Sequence, residues 1–312
     1  MLKRQDLHSF PHTSPWTLIG LLIVFVMSAC QSNLTPSPSA TPIPTSTIGL
    51  RTEEPLPSST ATQAPILSIS PTASPSPTTN CLRLGGTLQK ETISSEYVGE
   101  LNFQIYLPPC YQADPEKRYP VLYLLHGLSY DEEQWLQIGL VQEMDSLIVN
   151  GIIAPFLVVL PHEARFNPPQ TSGFDDALML ELVPWIDEQF QTLSEKPFRA
   201  LGGLSRGAAW AVHIGFTHHQ QFASIGAHSL PIFEADSGNL NAWLTSIPHA
   251  DLPTFYIDIG RSDQEVQSAL EFANQLDAHH IPHEWHLFND GHTQTYWFNH
   301  LQGYLKWYAR NW

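Results

Sequence analysis

Four short apolar runs, separated by stretches of helical period, constrain this chain more than any other feature. Val121-Leu122-Tyr123-Leu124-Leu125 and Phe156-Leu157-Val158-Val159-Leu160 are nearly continuous, and Arg199-Ala200-Leu201-Gly202-Gly203 and Thr254-Phe255-Tyr256-Ile257-Asp258-Ile259 are weaker versions. A strand that is apolar on both sides must be covered on both faces, which is the environment of a parallel sheet. Residues 131–149 carry apolar side chains at Trp135, Ile138, Leu140, Val141, Met144, Leu147 and Ile148, at helical spacing. Residues 175–190 and 264–276 repeat that period. Strand alternating with helix predicts right-handed crossovers and a doubly wound, mostly parallel α/β sheet with helices on both faces. Residues 100–107 differ: strict alternation there predicts a strand with one buried face.

The Pro, Ser and Thr content divides the chain. Residues 80–312 hold the aromatics and the periodic runs and are expected to form one globular domain. Residues 30–79 read as a Pro/Ser/Thr-rich tether, too poor in apolar surface to offset the entropy of ordering. Lys3 and Arg4 precede Trp16-Thr17-Leu18-Ile19-Gly20-Leu21-Leu22-Ile23-Val24-Phe25-Val26-Met27, an apolar run too short for the ~20 residues of a membrane span but suited to a signal-peptide core. It ends in Met27-Ser28-Ala29-Cys30, which resembles a bacterial lipobox, with Met27 where Leu is usual. Residues 1–29 are therefore expected to be a lipoprotein signal and Cys30 the lipid-bearing residue. The expected partner is a membrane, reached through that anchor, and the expected location is the cell surface or periplasm.

Three cysteines are present in all. With Cys30 assigned to lipid, Cys81 and Cys110 are expected to pair and staple the first hairpin of the domain in an oxidising compartment. Lys and Arg total 14 against 30 Asp and Glu, a formal charge of −16. That balance argues against nucleic acid as a partner, since binding there depends on cations at phosphates.

The chemistry concentrates at Gly203-Leu204-Ser205-Arg206-Gly207, between an apolar run and the helical stretch Ala208-Ala209-Trp210-Ala211-Val212. A serine on a tight strand-to-helix turn is pushed outward, and glycines two residues to either side make room for the turn. Ser205 is the expected nucleophile. It needs a base, and His292 in Asp290-Gly291-His292 follows a late strand-like run and is the expected one. The acid that orients the base is expected at Asp263, with Asp258 and Asp290 as alternatives. The oxyanion donors expected are the backbone N–H groups of Arg206 and Leu128, the latter in Leu124-Leu125-His126-Gly127-Leu128. His126 is read chiefly as a structural loop residue that stands near the substrate pocket. His279, His280, His283 and His286 cluster without any metal-ligand spacing, and on a strand His283 and His286 face opposite ways. No metal and no cofactor is expected.

Together these residues resemble the "putative esterase" family, which includes esterase D, feruloyl esterases, enterochelin esterases and mycolyltransferases. The resemblance spans about Tyr106 to Trp307. It rests on Tyr119-Pro120-Val121-Leu122-Tyr123-Leu124-Leu125-His126-Gly127, Trp135, Gly203 to Gly207, Gly260-Arg261-Ser262-Asp263, and Gly291-His292 with Trp297 following. It implies an α/β-hydrolase fold, a Ser205–Asp263–His292 triad, and Trp135 near the substrate pocket. Arg206 departs from the Met of many feruloyl esterases, which bears on the polarity of that pocket. The expected activity is hydrolysis of an extracellular carboxylic ester, such as feruloyl or acetyl groups on polysaccharide. The alternatives are acyl transfer by the same triad and a catalytically silent binding domain on the cell surface. Oligomeric state is not legible.

Overall fold

The computed structural model describes residues 81–312. The signal, tether and Cys30 readings lie outside the described residues. An eight-stranded sheet runs through the domain in the order β1-β2-β4-β3-β5-β6-β7-β8. The strands are β1 Thr87–Ser95, β2 Gly99–Leu107, β3 Val121–Leu125, β4 Leu157–Pro161, β5 Arg199–Leu204, β6 Ser224–His228, β7 Thr254–Gly260 and β8 His283–Phe288. β1 and β2 form an antiparallel hairpin at one edge, β2 pairs antiparallel with β4, and every other pairing is parallel.

Alternation along β3 shows why its apolar run is continuous. Val121, Tyr123 and Leu125 point into one core and Leu122 and Leu124 into the other. The first core is closed by α2 Val183–Gln189, α3 Arg206–Thr217, α4 Leu240–Ser246 and α5 Val266–Ala278. The second is closed by α1 Leu140–Val149 and α6 Gln294–Ala309, whose Tyr296, Leu301, Tyr304, Leu305 and Tyr308 are all buried. A fully buried Leu, Phe or Tyr removes enough apolar surface to stabilise by roughly 1.5–3 kcal/mol, so both layers contribute heavily.

Four elements depart from the sequence reading. The helix expected over 131–149 is broken at Gly139, which stands at φ 94, into a short helix Gln134–Gln137 and α1. Glycine takes that left-handed conformation without a Cβ clash, so the chain turns there. The helical stretch expected over 175–190 contains a π turn over Ala177–Leu182, just before Pro184, whose missing N–H cannot continue an α ladder. Strand β6 and helix α6 have no counterpart in the reading. Ser224-Ile225-Gly226-Ala227-His228 has too few apolar residues to mark a strand, and α6 mixes aromatics with Asn, His, Gln and Gly.

Cys81 and Cys110 form a disulfide that closes the base of the β1–β2 hairpin.

Candidate active site

Ser205 sits between β5 and α3 at φ 54 and ψ −123, a strained conformation for a residue with a side chain. Its neighbours explain how the strain is held. A Cβ on Gly203 would collide with the backbone of Gly207, and one on Gly207 with the carbonyls of Leu125 and His126. The Ser205 N–H donates to the carbonyl of His228 at 2.8 Å, and its carbonyl accepts from Ala208 N at 2.8 Å. The turn is thus tied to β6 on one side and α3 on the other, leaving Oγ to project.

The loops after β7 and β8 bring the other two side chains to it. They are pinned together by Arg261 N donating to the Phe288 carbonyl and Ser262 N to that of Asp290, both at 2.9 Å. His292 Nε2 lies 2.8 Å from Ser205 Oγ, and Nδ1 lies 2.9 and 3.0 Å from the two Asp263 oxygens. With Asp263 accepting at Nδ1–H, Nε2 is the basic nitrogen and accepts the serine proton; the tautomer is assigned from these partners.

Asp263 is 3 % exposed. Burial pushes its carboxyl upward, but hydrogen bonds from His292, the Glu265 amide and Ser229 together outweigh it and hold the pKa below its usual value. Ser229 Oγ in turn accepts from Trp297 Nε1 at 3.1 Å, and the Trp297 ring stands edge-on to the His292 ring at 5.1 Å. Ser229 lies just past β6 and gave no signal in the sequence.

The two rejected acids have other employment. Asp258 is fully buried and accepts from His228 Nδ1 at 2.6 Å, Tyr296 OH at 2.5 Å and Tyr304 OH at 2.7 Å. The Asp290 carboxylate accepts from the N–H of Gly291 at 2.8 Å, within its own loop. The His228–Asp258 network was missed because its members are scattered from β6 to α6.

The loop after β3 is ordered by Gln134, whose Oε1 accepts from Gly127 N at 2.7 Å. The next N–H, that of Leu128, makes no hydrogen bond within the described residues. The Arg206 N–H is the first of α3, a position with no intrahelical acceptor. The arrangement can therefore offer both to a developing oxyanion.

The pocket role expected for Trp135 needs correction, and His126 takes the structural loop role rather than lining a pocket. Trp135 is 1 % exposed, and its Nε1 donates to the Leu125 carbonyl at 3.0 Å. His126 is 3 % exposed, donates from Nδ1 to the Gly127 carbonyl at 2.8 Å, and accepts at Nε2 from Glu163 N at 2.9 Å. Burial holds its pKa below the usual value, in keeping with a neutral ring. Both brace the loop from within, because their polar atoms are taken by backbone and neither presents a face to solvent. The Arg206 side chain is likewise committed: Glu163 grips it bidentately, and Asn167 O accepts from Nη2. Its charge is thus neutralised rather than offered to a ligand. Among the four clustered histidines, His279 bonds Asn241 and His283 bonds the Ile281 carbonyl, while His286 stacks on Phe288.

A doubly wound sheet with a serine turn after a central strand, and with acid and histidine on the loops after later strands, defines an α/β-hydrolase. The chain belongs to the family described as "Putative esterase", whose model matches residues 94–308. It is 38% identical over 136 residues to an endo-1,4-beta-xylanase/feruloyl esterase of Xylanibacter ruminicola, covering 39% of this chain and 18% of that protein. It is 28% identical over 167 residues to an esterase of Mycobacterium tuberculosis, covering 50% of this chain and 34% of that one. The chain thus spans only 18% and 34% of the length of these two curated relatives. Among solved structures it resembles a ferulic acid esterase with a TM-score of 0.66 at 22% identity, over 73% of this chain and 100% of that one. It also resembles a mutant of the feruloyl esterase module from Clostridium thermocellum complexed with sinapinate, with a TM-score of 0.63 at 20% identity, over 76% and 90% of the two chains.

Proposed function

We propose that this protein is a serine carboxylic-ester hydrolase working through an acyl-enzyme. One observation carries the reading: a single imidazole, His292, reaches Ser205 Oγ with one nitrogen and the Asp263 carboxylate with the other. Ser205 Oγ attacks the ester carbonyl carbon while its proton passes to His292 Nε2. The carbonyl oxygen takes the negative charge and rests on the N–H groups of Leu128 and Arg206, a contribution worth about 10²–10³ in rate per donor. Asp263 stays ionised and stabilises the imidazolium. Collapse breaks the carbon–oxygen bond, and the alcohol leaves with the proton from His292. Water, deprotonated by the same nitrogen, then attacks the acyl carbon and frees the acid and Ser205.

The substrate class we infer is an ester joining an aryl or short acyl group to an extracellular polysaccharide. The names of the relatives, xylanase joined to feruloyl esterase among them, support that class. The lipobox-like segment ending at Cys30 supports an exported, membrane-anchored location. The deciding experiment is turnover of p-nitrophenyl acetate and methyl ferulate by the wild type and by Ser205→Ala. Release of product by the first and not the second is expected, and equal rates would refute the mechanism.

A further inference from the structure

The two elements that hold the site also wall a groove beside it. The short helix Gln134–Gln137 carries Gln134, which fixes Gly127, and α6 carries Trp297, which packs on His292. Between residues 136–143 on one side and 298–302 on the other lies a groove of about 650 Å³. That is within the ~300–1,000 Å³ range of ligand sites.

Its lining has a definite chemistry. Phe298 follows Trp297 directly but turns outward and is 60 % exposed. Across from it stands Gly139, where even a Cβ would come within 3.5 Å of the Phe298 ring. Leu136, Ile138 and Leu301 add aliphatic surface, and the polar part of the lining is uncharged amides and one carboxylate: Gln137, Gln142, Asn299, Gln302 and Glu143. Gln302 is fixed at both ends, its Nε2 donating to Glu143 Oε1 and its Oε1 accepting from Lys306 Nζ, each at 2.7 Å. No Arg, Lys or His lines the groove, the Lys306 ammonium behind Gln302 is held by that amide, and the Glu143 carboxylate opposes an anionic ligand. A wholly apolar ligand would strip water from the amides without replacing their hydrogen bonds. A neutral sugar chain meets both demands. Its C–H faces stack on an exposed aromatic ring, and its hydroxyl pairs match the donor and acceptor sets of amide and carboxylate.

We infer that this groove binds a neutral oligosaccharide segment, the alcohol side of the ester attacked by Ser205. Only the phrase "alcohol side" rests on the hydrolase reading; binding itself does not.

The test uses the full chain bearing Ser205→Ala, so that no turnover is needed. Xylohexaose and cellohexaose are titrated calorimetrically, with hexagalacturonate as the anionic comparison. One of the neutral chains is expected to bind about ten-fold more tightly than the anionic one. Adding Phe298→Ala or Gln302→Ala is expected to weaken it about five-fold at an unchanged thermal midpoint. No saturable binding of either neutral chain, preference for the anionic one, or indifference to both substitutions overturns the inference. So does a concentration-dependent dimer that Phe298→Ala dissolves, which would give the groove to a second copy. In the active protein, Phe298→Ala should lower the ratio of kcat/KM on a feruloylated xylo-oligosaccharide to that on p-nitrophenyl acetate about five-fold. Absence of turnover on both esters would count against the hydrolase mechanism, while the titration would still decide the groove.

Discussion

The guanidinium of Arg206 lies against the carboxylate of Glu163, with Nε 2.6 Å and Nη2 2.7 Å from its oxygens, one residue beyond Ser205. The pair ties the loop after β4 to the first residue of the helix that follows Ser205. The Glu163 side chain is 4% exposed and that of Arg206 14%. Removing one partner leaves a nearly buried charge alone, at a cost of about 3 kcal/mol. Glu163→Gln should therefore lower the urea midpoint clearly. Glu163→Leu combined with Arg206→Met should recover much of the loss, because the buried charges leave together.

Ser205→Ala and His292→Ala should each reduce kcat on p-nitrophenyl acetate by about 10⁴–10⁶. The double variant should lose little more than either single one, since nucleophile and base act as a unit. Additive losses in steady-state rates would show that the two do not share a step.

Substituting the two aspartates separates positioning from packing. Asp263→Asn should fold normally and lose about 10³–10⁴ in kcat, because an amide no longer holds the imidazole in the required tautomer. Asp258→Asn should instead cost at least ~2 kcal/mol of stability, since it disturbs three buried donors at once. A well-folded but inactive Asp258→Asn, judged by urea unfolding alongside kcat, would move the acid to Asp258.

His213 on α3 makes part of the stability depend on pH. Its Nδ1 lies 2.9 Å from Asp236 and its Nε2 3.6 Å from Asp175. Burial lowers its pKa, but the two carboxylates outweigh that and raise it from 6.5 to about 9. The folded value lies above the unfolded one, so the contribution is full below about pH 6.5 and disappears as pH rises through 9. Its size is up to about 3 kcal/mol. His213→Gln should cost most at pH 6 and least near pH 9.5, measured by urea unfolding at each pH.

Reduction of the Cys81–Cys110 bond should destabilise the domain by about 3.6 kcal/mol on the loop-entropy model for its separation of 29 residues. A lower thermal midpoint under reductant, with kcat kept while folded, is the expected result, because the bond lies at the β1–β2 edge.

The buried strands and the serine turn were legible along the chain because each is a local pattern. Continuous apolar runs mark strands covered on both sides. The glycines around Ser205 mark a turn that admits no side chain there. The loop after each strand of a parallel sheet must emerge at the same edge. What the sequence left open is what depends on partners far apart. The sequence favoured Asp263 over Asp258 and left both open; the packing of Tyr296, Tyr304 and His228 around Asp258, and of His292 and Ser229 around Asp263, separates them. Trp135 was placed near the pocket by the family resemblance alone, yet it is buried and braces the loop from within, as does His126. The neutralising of Arg206 by Glu163 was invisible for the same reason. A charge's effect is set by what folding places beside it, and the distance between two side chains is not written in their spacing.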